Sequence, residues 1–383
     1  MNAEELPQGV RPGTVSFVFG HADPATLPVD ELRAAAEAVS GGPQARLALQ
    51  YGPEQGSPAL IEYLVDRLNR QEGLGLTREN LMLVAGATQA LDMIARLYVG
   101  CGGVVLVEAP SYRDALHVLR DYGVDLQPVP LDEDGLIVEA LAARLAALGQ
   151  VPRLLYTIPN FQNPSGVTLP TRRREAILAL AREYGFPIVE DDVYRDLVYE
   201  GEVPPSFYAL AGGEGVLRLG SFSKIMAPGL RLGWLVGAPE HIQRCVDCGT
   251  SQMGGGANPF TAHLVAACCR AGHLEPHIAR LRQVYRQRRD LMLEALERHM
   301  PPGVSWTRPG GGFFLWLTLP EGIQAVALQE IVGARGVFFS PGPGFFAAGG
   351  GERNLRLAFS FVPPTDIERG VATLAQAIRE MMV

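Results

Sequence analysis

The hydrophobic positions along the chain follow two alternating patterns. Residues 57–72 carry apolar side chains three and four positions apart, which predicts an amphipathic helix, and residues 81–87 form a short apolar run typical of a buried strand. The same alternation predicts further helices and strands at 88–99, 104–110, 111–122, 124–130, 136–147, 153–159, 171–184, 187–192, 216–221 and 231–237. Strands that alternate with helices need crossover connections, so we expect an α/β fold with a mostly parallel sheet flanked by helices.

The pattern changes after about residue 270. A long polar helix is predicted over 273–299, with the arginine-rich stretch 280–289 on its solvent-exposed side, and short strands and helices follow it. We interpret this part as a smaller α+β domain against which the amino-terminal segment packs. The predicted organisation is a large domain over 44–270 and a small domain formed by 1–43 and 271–383.

Polar segments follow five of the predicted strands. They are GATQ at 86–89, PSY at 110–112, PNFQNPSG at 159–166, DDVY at 191–194 and SFSK at 221–224. Since ligands of open α/β sheets bind at the carboxyl ends of the strands, we expect these segments to meet in one pocket.

Composition and charge narrow the class of protein. The chain has 383 residues, 47% of them hydrophobic, and a net charge of -8. These values suit a globular protein and argue against a general nucleic-acid or anionic-membrane binder, whose affinity needs positive charge. The acidic amino terminus lacks a signal-peptide pattern, and the five cysteines have no framework spacing, so we expect a cytoplasmic location. No cysteine or histidine spacing predicts a metal site.

The basic residues contain one candidate for covalent chemistry. Of the 33 lysines and arginines, one is a lysine, Lys224. Arginine can replace a lysine that supplies only charge, but it cannot lose a proton and attack a carbonyl carbon. Lys224 is therefore a candidate for amine chemistry, although composition alone leaves open that it was retained by chance.

The residues around this lysine indicate a phosphorylated aldehyde. Ser221, Ser223 and Arg231 lie on the same turn and the segment that leaves it, and hydroxyl groups with an arginine suit a phosphate. The backbone at Ala87 and Thr88, where a helix is predicted to begin, would favour the same anion, but a simple N-cap explains Thr88 equally well. A phosphate site beside a reactive amine suggests pyridoxal phosphate as the cofactor.

Four further side chains could contact a pyridine ring. Asp191 ends an apolar strand, where a buried carboxylate could pair with a protonated ring nitrogen or with a backbone or arginine donor, and the adjacent Asp192 leaves the choice open. Asn163 and Tyr194 could bind the ring phenolate oxygen. Tyr112 could lie against the ring face or pack in the core.

These segments resemble the class I/II aminotransferases, which are fold-type I pyridoxal-phosphate enzymes. The resemblance rests on SFSKIMAPGLRLGW, on PNFQNPSG followed by DDVY, and on YGPEQGSPALIEYL and NLRLAFS; RPGTVSFVFGHADPATLP indicates the 2-aminoadipate and kynurenine aminotransferase type. It implies an aspartate-aminotransferase-like α/β fold, with a mostly parallel seven-stranded sheet in the large domain and a smaller α+β domain. It also implies a homodimer with shared sites.

The resemblance implies a role for each candidate residue. Lys224, Asp191 and Tyr194 would be catalytic, with Lys224 holding the cofactor and shuttling a proton. The remaining cofactor ligands would be Tyr112, Asn163, Ala87, Thr88, Ser221, Ser223, Arg231 and, reaching the phosphate of the neighbouring subunit, Tyr51. The substrate would be bound by Arg356 through its α-carboxylate, by Asn163, and by the backbone at Gly20.

The predicted function is transfer of an amino group between an amino acid and a 2-oxo acid, with 2-oxoglutarate as the expected acceptor. The same residues would also serve a lyase, racemase or decarboxylase, because they stabilise a carbanion without dictating its fate. Regulators of the MocR type have a similar effector-binding half beside a helix-turn-helix domain, for which we expect no room here. No residue is assigned to recognition of the substrate side chain.

Overall fold

The computed structural model describes residues 13–382, so the predicted contribution of residues 1–12 to the small domain lies outside the described residues. The strands, in chain order, are β1 (Val15–Ser16), β2 (Leu81–Val84), β3 (Val104–Ala109), β4 (Asp125–Asp132), β5 (Gly135–Leu136), β6 (Leu154–Thr157), β7 (Ile188–Asp191), β8 (Val216–Ser221), β9 (Gly233–Val236), β10 (Ser305–Trp306), β11 (Phe314–Thr318), β12 (Val337–Phe338), β13 (Ser340–Pro341) and β14 (Asn354–Ala358). The α-helices, in chain order, are α1 (Val29–Ser40), α2 (Ala45–Ala48), α3 (Pro58–Glu72), α4 (Ala87–Ile94), α5 (Arg113–Arg120), α6 (Val138–Leu148), α7 (Thr171–Tyr184), α8 (Phe207–Leu210), α9 (Pro239–Val246), α10 (Gly249–Gly254), α11 (Pro259–Arg270), α12 (Leu274–His299), α13 (Ala325–Ala334) and α14 (Pro364–Met381). Within the described part of the chain, no helix is long and apolar enough to cross a membrane.

The large sheet has the strand order β2-β9-β8-β7-β6-β3-β4-β5. The neighbours from β8 through β4 pair in parallel, whereas β9 is antiparallel to both β8 and β2 and the two-residue β5 is antiparallel to β4. All residues of β2, β6, β7, β8 and β9 are buried, as expected for a sheet with helices on both faces. The predicted α/β fold with a mostly parallel sheet is confirmed, with β5 as an eighth strand beside the seven expected.

The ends of the helices follow local sequence signals. Helix α3 has Pro58 in its first turn and is capped after Glu72 by Gly73, which adopts a left-handed conformation with φ of 65°. The helix predicted over 88–99 begins at Ala87, and its last turn, Ala95–Val99, is a wider π-helical turn. The hydrophobic period predicts the helical face but does not reveal this change of winding.

The amino-terminal segment pairs with the carboxyl-terminal part of the chain. Strand β1 runs parallel to β12, and the backbone N–H of Ala358, at the end of β14, donates to the carbonyl of Phe17 at 2.8 Å. Strands β10, β11, β14 and β13 form a separate antiparallel sheet, and α12 and α14 pack on each other. Helix α1 packs on α11, however, and the domain boundaries at 43/44 and 270/271 stay a prediction.

The expectation that the arginine-rich stretch is solvent-exposed is wrong for two of its side chains. Arg288 is buried and donates to the Asp23 carboxylate and to the Ser360 carbonyl. Arg289 is buried as well and donates to the Pro309 carbonyl at 2.8 Å and to the Glu200 carboxylate at 2.7 Å. Helix α12 therefore uses these guanidinium groups to fix distant segments, because a buried charge needs such partners.

Candidate active site

A cavity of about 410 Å³ lies where the carboxyl ends of β2, β3, β6, β7 and β8 meet, and its volume is typical of small-molecule sites. The structure brings twelve of the thirteen predicted residues to its wall: Gly20, Ala87, Thr88, Tyr112, Asn163, Asp191, Tyr194, Ser221, Ser223, Lys224, Arg231 and Arg356. Tyr51 is the exception, because it lies before α3, outside the cavity, with 76% of its surface exposed. The roles assigned to all of these residues stay predictions.

Lys224 follows β8, and its amine points into the cavity. The Nζ atom donates to the Gly20 carbonyl at 3.0 Å and lies 5.7 Å from the centre of the Tyr194 ring. Desolvation by burial and the positive charge of Arg356 lower the pKa of Lys224 to about 8. Because the neutral amine is the nucleophilic form, this lower pKa favours attack by Lys224 on a carbonyl carbon.

Asp191, at the end of β7, offers one free carboxylate oxygen to the cavity. Its Oδ2 atom accepts a hydrogen bond from the Tyr156 hydroxyl at 2.6 Å, while the buried Oδ1 has no hydrogen-bond partner among residues 13–382. Burial raises the pKa of Asp191 to about 6, and the hydrogen bond from Tyr156 opposes that rise. A buried carboxylate with an unused oxygen is suited to a cationic ligand group.

The adjacent carboxylate, Asp192, belongs to a different network. Arg218 donates to its Oδ2 atom at 2.7 Å, and the Asn160 amide donates to its Oδ1 atom at 2.5 Å. Arg218 also forms an ion pair with Glu72 at 2.6 Å. Since successive side chains of a strand point to opposite faces, the sheet separates a structural Asp192 from an Asp191 that faces the cavity.

Asn163 lies in a loop that a buried carboxylate holds in place. Glu108, at the end of β3, accepts hydrogen bonds from Thr157 Oγ1 at 2.5 Å and from Gln162 Nε2 at 2.9 Å. Gln162 in turn accepts from the backbone N–H of Ser165 at 2.8 Å, which closes the loop around Asn163. Burial raises the pKa of Glu108 to about 7.

Arg356, on β14, is a buried guanidinium with no carboxylate partner in the part of the chain that the structure describes. Its NH1 atom donates to Asn163 Oδ1 at 2.9 Å, and its NH2 atom donates to the Val18 carbonyl at 2.6 Å. The Nε atom has no hydrogen-bond partner among the described residues, and the group lies 4.2 Å from the centre of the Phe314 ring. Burial lowers the pKa of Arg356 to about 10. An anion is the missing partner of such a site.

The opposite end of the cavity is rich in donors for a phosphate. Helix α4 begins at Ala87, so its first backbone N–H groups and the helix dipole favour an anion there. Gly86 has a φ of 85°, and a Cβ at this position would lie 2.7 Å from Arg231 NH2. The glycine therefore allows the arginine to reach the helix end.

The hydroxyl groups at this end are partly engaged by the backbone. Ser221 Oγ accepts from the Ser223 N–H at 3.0 Å, so its own hydrogen can point elsewhere. Gln89, in the segment GATQ, turns back and accepts from the Ala85 N–H at 2.5 Å. It serves the turn rather than the cavity.

The two predicted ring-contacting tyrosines lie on the cavity wall in different settings. Tyr194 is buried edge-on against Phe313, with ring centres 5.5 Å apart, and burial raises the pKa of its hydroxyl. Tyr112 donates its hydroxyl to Asp114 Oδ2 at 2.9 Å, which fixes the ring at the cavity edge. Both rings can therefore meet a ligand without rearranging the core.

Sequence reasoning missed several residues of this site. Tyr156 and Glu108 lie inside apolar strands, and a polar residue in a run that is otherwise buried was the available signal for both. His21 and Phe314 also line the cavity, but their spacing along the chain contains no signal of it.

The comparisons with known proteins agree with this geometry. The sequence matches the family model for aminotransferase class I and II over residues 18–374. Aromatic-amino-acid aminotransferase 1 of Thermococcus litoralis is 38% identical over 371 residues, which are 96% of this chain and 88% of the relative. The chain therefore belongs to the class I and II aminotransferase family.

Solved structures of the same type share the fold. Kynurenine aminotransferase from Pyrococcus horikoshii, solved in complex with PMP, matches with a TM-score of 0.92 and 38% identity over 97% of this chain and 92% of that one. The alpha-aminoadipate aminotransferase LysN of Thermus thermophilus, solved with N-(5'-phosphopyridoxyl)-L-leucine, matches with a TM-score of 0.89 and 35% identity over 97% and 93%. The predicted family, enzyme class and fold type are confirmed.

Proposed function

We propose that the chain is a homodimeric, pyridoxal-phosphate-dependent aminotransferase that moves an amino group between an amino acid and a 2-oxo acid, with 2-oxoglutarate as an acceptor. The observation that carries the proposal is the arrangement of three groups in one cavity. They are the single lysine, whose pKa is lowered to about 8, the unpartnered Oδ1 atom of Asp191, and the guanidinium of Arg356, which has no carboxylate partner among the described residues.

The residues fit the cofactor at each of its polar positions. Asp191 Oδ1 would accept from the protonated ring nitrogen, and the Asn163 amide and Tyr194 hydroxyl would bind the ring oxygen. Because Asn163 Oδ1 already accepts from Arg356, its Nδ2 atom is the group left to donate. The phosphate ligands would be the backbone of Ala87 and Thr88 and the side chains of Ser221, Ser223 and Arg231. When bound, pyridoxal phosphate supplies an electron sink for the negative charge that develops at the substrate α-carbon.

Lys224 is the group that moves protons in this site. Its Nζ atom would hold the cofactor carbonyl carbon and, once displaced by substrate, would take the α-proton and deliver it to the carbon that it had held. A pKa of about 8 suits both directions, because the neutral and the protonated amine are then both accessible near neutral pH. Arginine at this position would supply the charge but could not take the proton.

Arg356 would orient the substrate by its α-carboxylate. A bidentate pair with a carboxylate uses two N–H groups of the planar guanidinium. The Nε atom of Arg356 can supply one of them, because it has no hydrogen-bond partner among the described residues. The hydrogen bond to Asn163 and the packing on Phe314 hold the guanidinium in place before substrate arrives. The donor and the acceptor share this requirement, since both carry an α-carboxylate.

An exposed apolar surface supports the homodimer. Leu49 and Tyr51 are each 76% exposed and Met253 is 90% exposed, although all three are hydrophobic. The Gly52 N–H donates to the Gly255 carbonyl at 3.0 Å, which joins the two segments that carry them. Large apolar surfaces of this kind mark protein interfaces, and we place Tyr51 at the second subunit's phosphate site. Sedimentation of the holoenzyme should give a dimer, and a monomer with full activity would contradict this part of the proposal.

A panel of amino donors with 2-oxoglutarate tests the reaction. The expected result is a 2-oxo acid and glutamate in equal amounts. Without the acceptor, the formation of 2-oxo acid should stop after one molecule per site. Release of ammonia without an acceptor would instead indicate a lyase, and loss of optical activity without either product would indicate a racemase. Lys224→Arg keeps the charge and should abolish turnover, which makes it the matched control for Lys224→Ala.

Reduction with borohydride followed by peptide mapping tests the cofactor site separately. The expected result is a phosphopyridoxyl group on Lys224, the one lysine of the chain. An unmodified Lys224 peptide from protein that retains bound cofactor would overturn the proposed attachment.

A further inference from the structure

His21 lies at the mouth of the cavity, next to the residue whose carbonyl accepts the hydrogen bond from Lys224. Its ring is tilted against Phe19, with centres 5.2 Å apart, and meets Phe361 edge-on at 6.4 Å. The ring nitrogens form no hydrogen bond or ion pair with other residues in 13–382. His21 therefore combines an aromatic surface with polar atoms that have no partner in the described fold.

The expected position of the substrate puts its side chain within reach of this ring. Arg356 would hold the α-carboxylate and Lys224 would face the α-carbon. Gly20 connects these two positions: its carbonyl accepts from Lys224, and a Cβ on it would lie 2.4 Å from the Phe314 ring that supports Arg356. His21 follows immediately, on the side that opens to solvent.

The charged groups that face His21 are Lys224 and Arg356, both cationic. Asp23, two positions along the chain, is already engaged by Arg288 of α12. Desolvation by the cavity wall and the two positive charges of Lys224 and Arg356 lower the pKa of His21 and so favour the neutral ring. A bound α-carboxylate would offset the charge of Arg356, and a second carboxylate near the ring would favour protonation further.

We propose that His21 recognises the substrate side chain: as a neutral ring it packs against aromatic side chains, and as a cation, with a proton taken from solvent, it binds the distal carboxylate of a dicarboxylic amino or 2-oxo acid. One residue would then admit both an aromatic donor and 2-oxoglutarate to the same site. This inference rests on the proposed aminotransferase function.

Steady-state kinetics with two acceptors tests the proposal. Phenylpyruvate and 2-oxoglutarate share the α-oxo acid group but differ in the distal group. In the wild-type holoenzyme, the ratio of the KM for 2-oxoglutarate to that for phenylpyruvate should rise by about fivefold from about pH 5, where the imidazole can be protonated, to about pH 9, as an exposed ion pair is lost. A ratio that does not change with pH would overturn the proposal.

Variants at the exposed His21 give a second readout. His21→Phe should raise the KM for 2-oxoglutarate about fivefold at about pH 5, leave the KM for phenylpyruvate within about twofold, and remove the pH dependence of the ratio. His21→Lys keeps a cation at every working pH, so it should restore 2-oxoglutarate binding without the pH dependence. If the ratio still rises with pH in His21→Phe, the proposal is wrong.

Arg113 provides the matched control, because it is another cation on the cavity wall, paired with Asp114 at 3.3 Å. Arg113→Gln should leave the ratio of the two KM values and its pH dependence unchanged. If the ratio of the two KM values increases in Arg113→Gln and not in His21→Phe, Arg113 and not His21 binds the distal carboxylate. Absence of transamination by the wild type would overturn the proposed function itself, whereas transamination with unchanged ratios in His21→Phe would overturn the role of His21 alone.

Discussion

The hydrogen bond from Tyr156 to Asp191 gives the sharpest prediction for the cofactor site. Tyr156→Phe removes one hydroxyl group from a fully buried ring and leaves the rest of its packing in place. A hydrogen bond to a charged group contributes about 1.5–3 kcal/mol. Because one pKa unit corresponds to about 1.4 kcal/mol, the change should raise the pKa of Asp191 by about one to two units from about 6.

The consequence is a cofactor affinity that depends more strongly on pH. At pH 7 the ionised fraction of Asp191 should fall from about nine-tenths to between about one-half and one-tenth, and only the ionised form can pair with a protonated ring nitrogen. Titration of the apoprotein with pyridoxal phosphate at a series of pH values measures this. The ratio of the variant's Kd to that of the wild type should be near one above about pH 9 and should rise about tenfold or more below about pH 6.

Taking the ratio cancels the titration of Lys224, which is common to both proteins. Tyr199→Phe is the matched control, since Tyr199 is also buried and donates its hydroxyl to a carbonyl, that of Gly312, at 2.5 Å, away from Asp191. Its ratio should not change with pH. A Tyr156→Phe ratio that is equally flat would refute the assignment of Tyr156 as the residue that keeps Asp191 ionised.

Three further predictions concern other parts of the site. Arg356→Lys should raise the KM of donor and acceptor alike by about tenfold or more, because a bidentate partner for the α-carboxylate is lost. Steady-state kinetics in which both substrates are varied measures this. An increase in the KM of just one of the two substrates would contradict the assignment. Asp192→Asn should lower the free energy of unfolding by about 3 kcal/mol in denaturant titrations while leaving bound cofactor in place. Asp191→Asn should instead weaken cofactor binding and leave the free energy of unfolding nearly unchanged. Equal effects of the two changes on stability would contradict the separation of their networks. Gly86→Ala should weaken cofactor binding by about tenfold in titrations of the apoprotein, because the new Cβ would displace Arg231 and strain a backbone with φ of 85°.

The sequence allowed the strands and the residues at their ends to be predicted, because hydrophobic periodicity is local and parallel strands end at one edge. Hydrophobic periodicity could not choose between Asp191 and Asp192, and only the family resemblance favoured Asp191. That choice depends on which face of β7 meets Arg218, a contact between segments 26 residues apart. The antiparallel direction of β9 was hidden for the same reason, since a buried strand has the same composition in either direction.

Contacts between distant segments also explain the errors. Arg288 and Arg289 have the composition of a solvated helix face, and only the fold shows that Asp23 and Glu200 lie beside them. Tyr156 is similar, because an apolar strand that contains a tyrosine gives no indication that its hydroxyl reaches Asp191. Tyr51 stays a prediction, since its proposed partner is a second subunit.

Transfer of a labelled amino group tests the central claim most directly. The wild-type holoenzyme would be incubated with a ¹⁵N-labelled aromatic amino acid and unlabelled 2-oxoglutarate, and the products analysed by mass spectrometry. We expect the label in glutamate, in an amount equal to the aromatic 2-oxo acid formed, and none in glutamate from Lys224→Arg. Label recovered as ammonium, or retained in the donor while other products form, would contradict the assignment of this site to transamination.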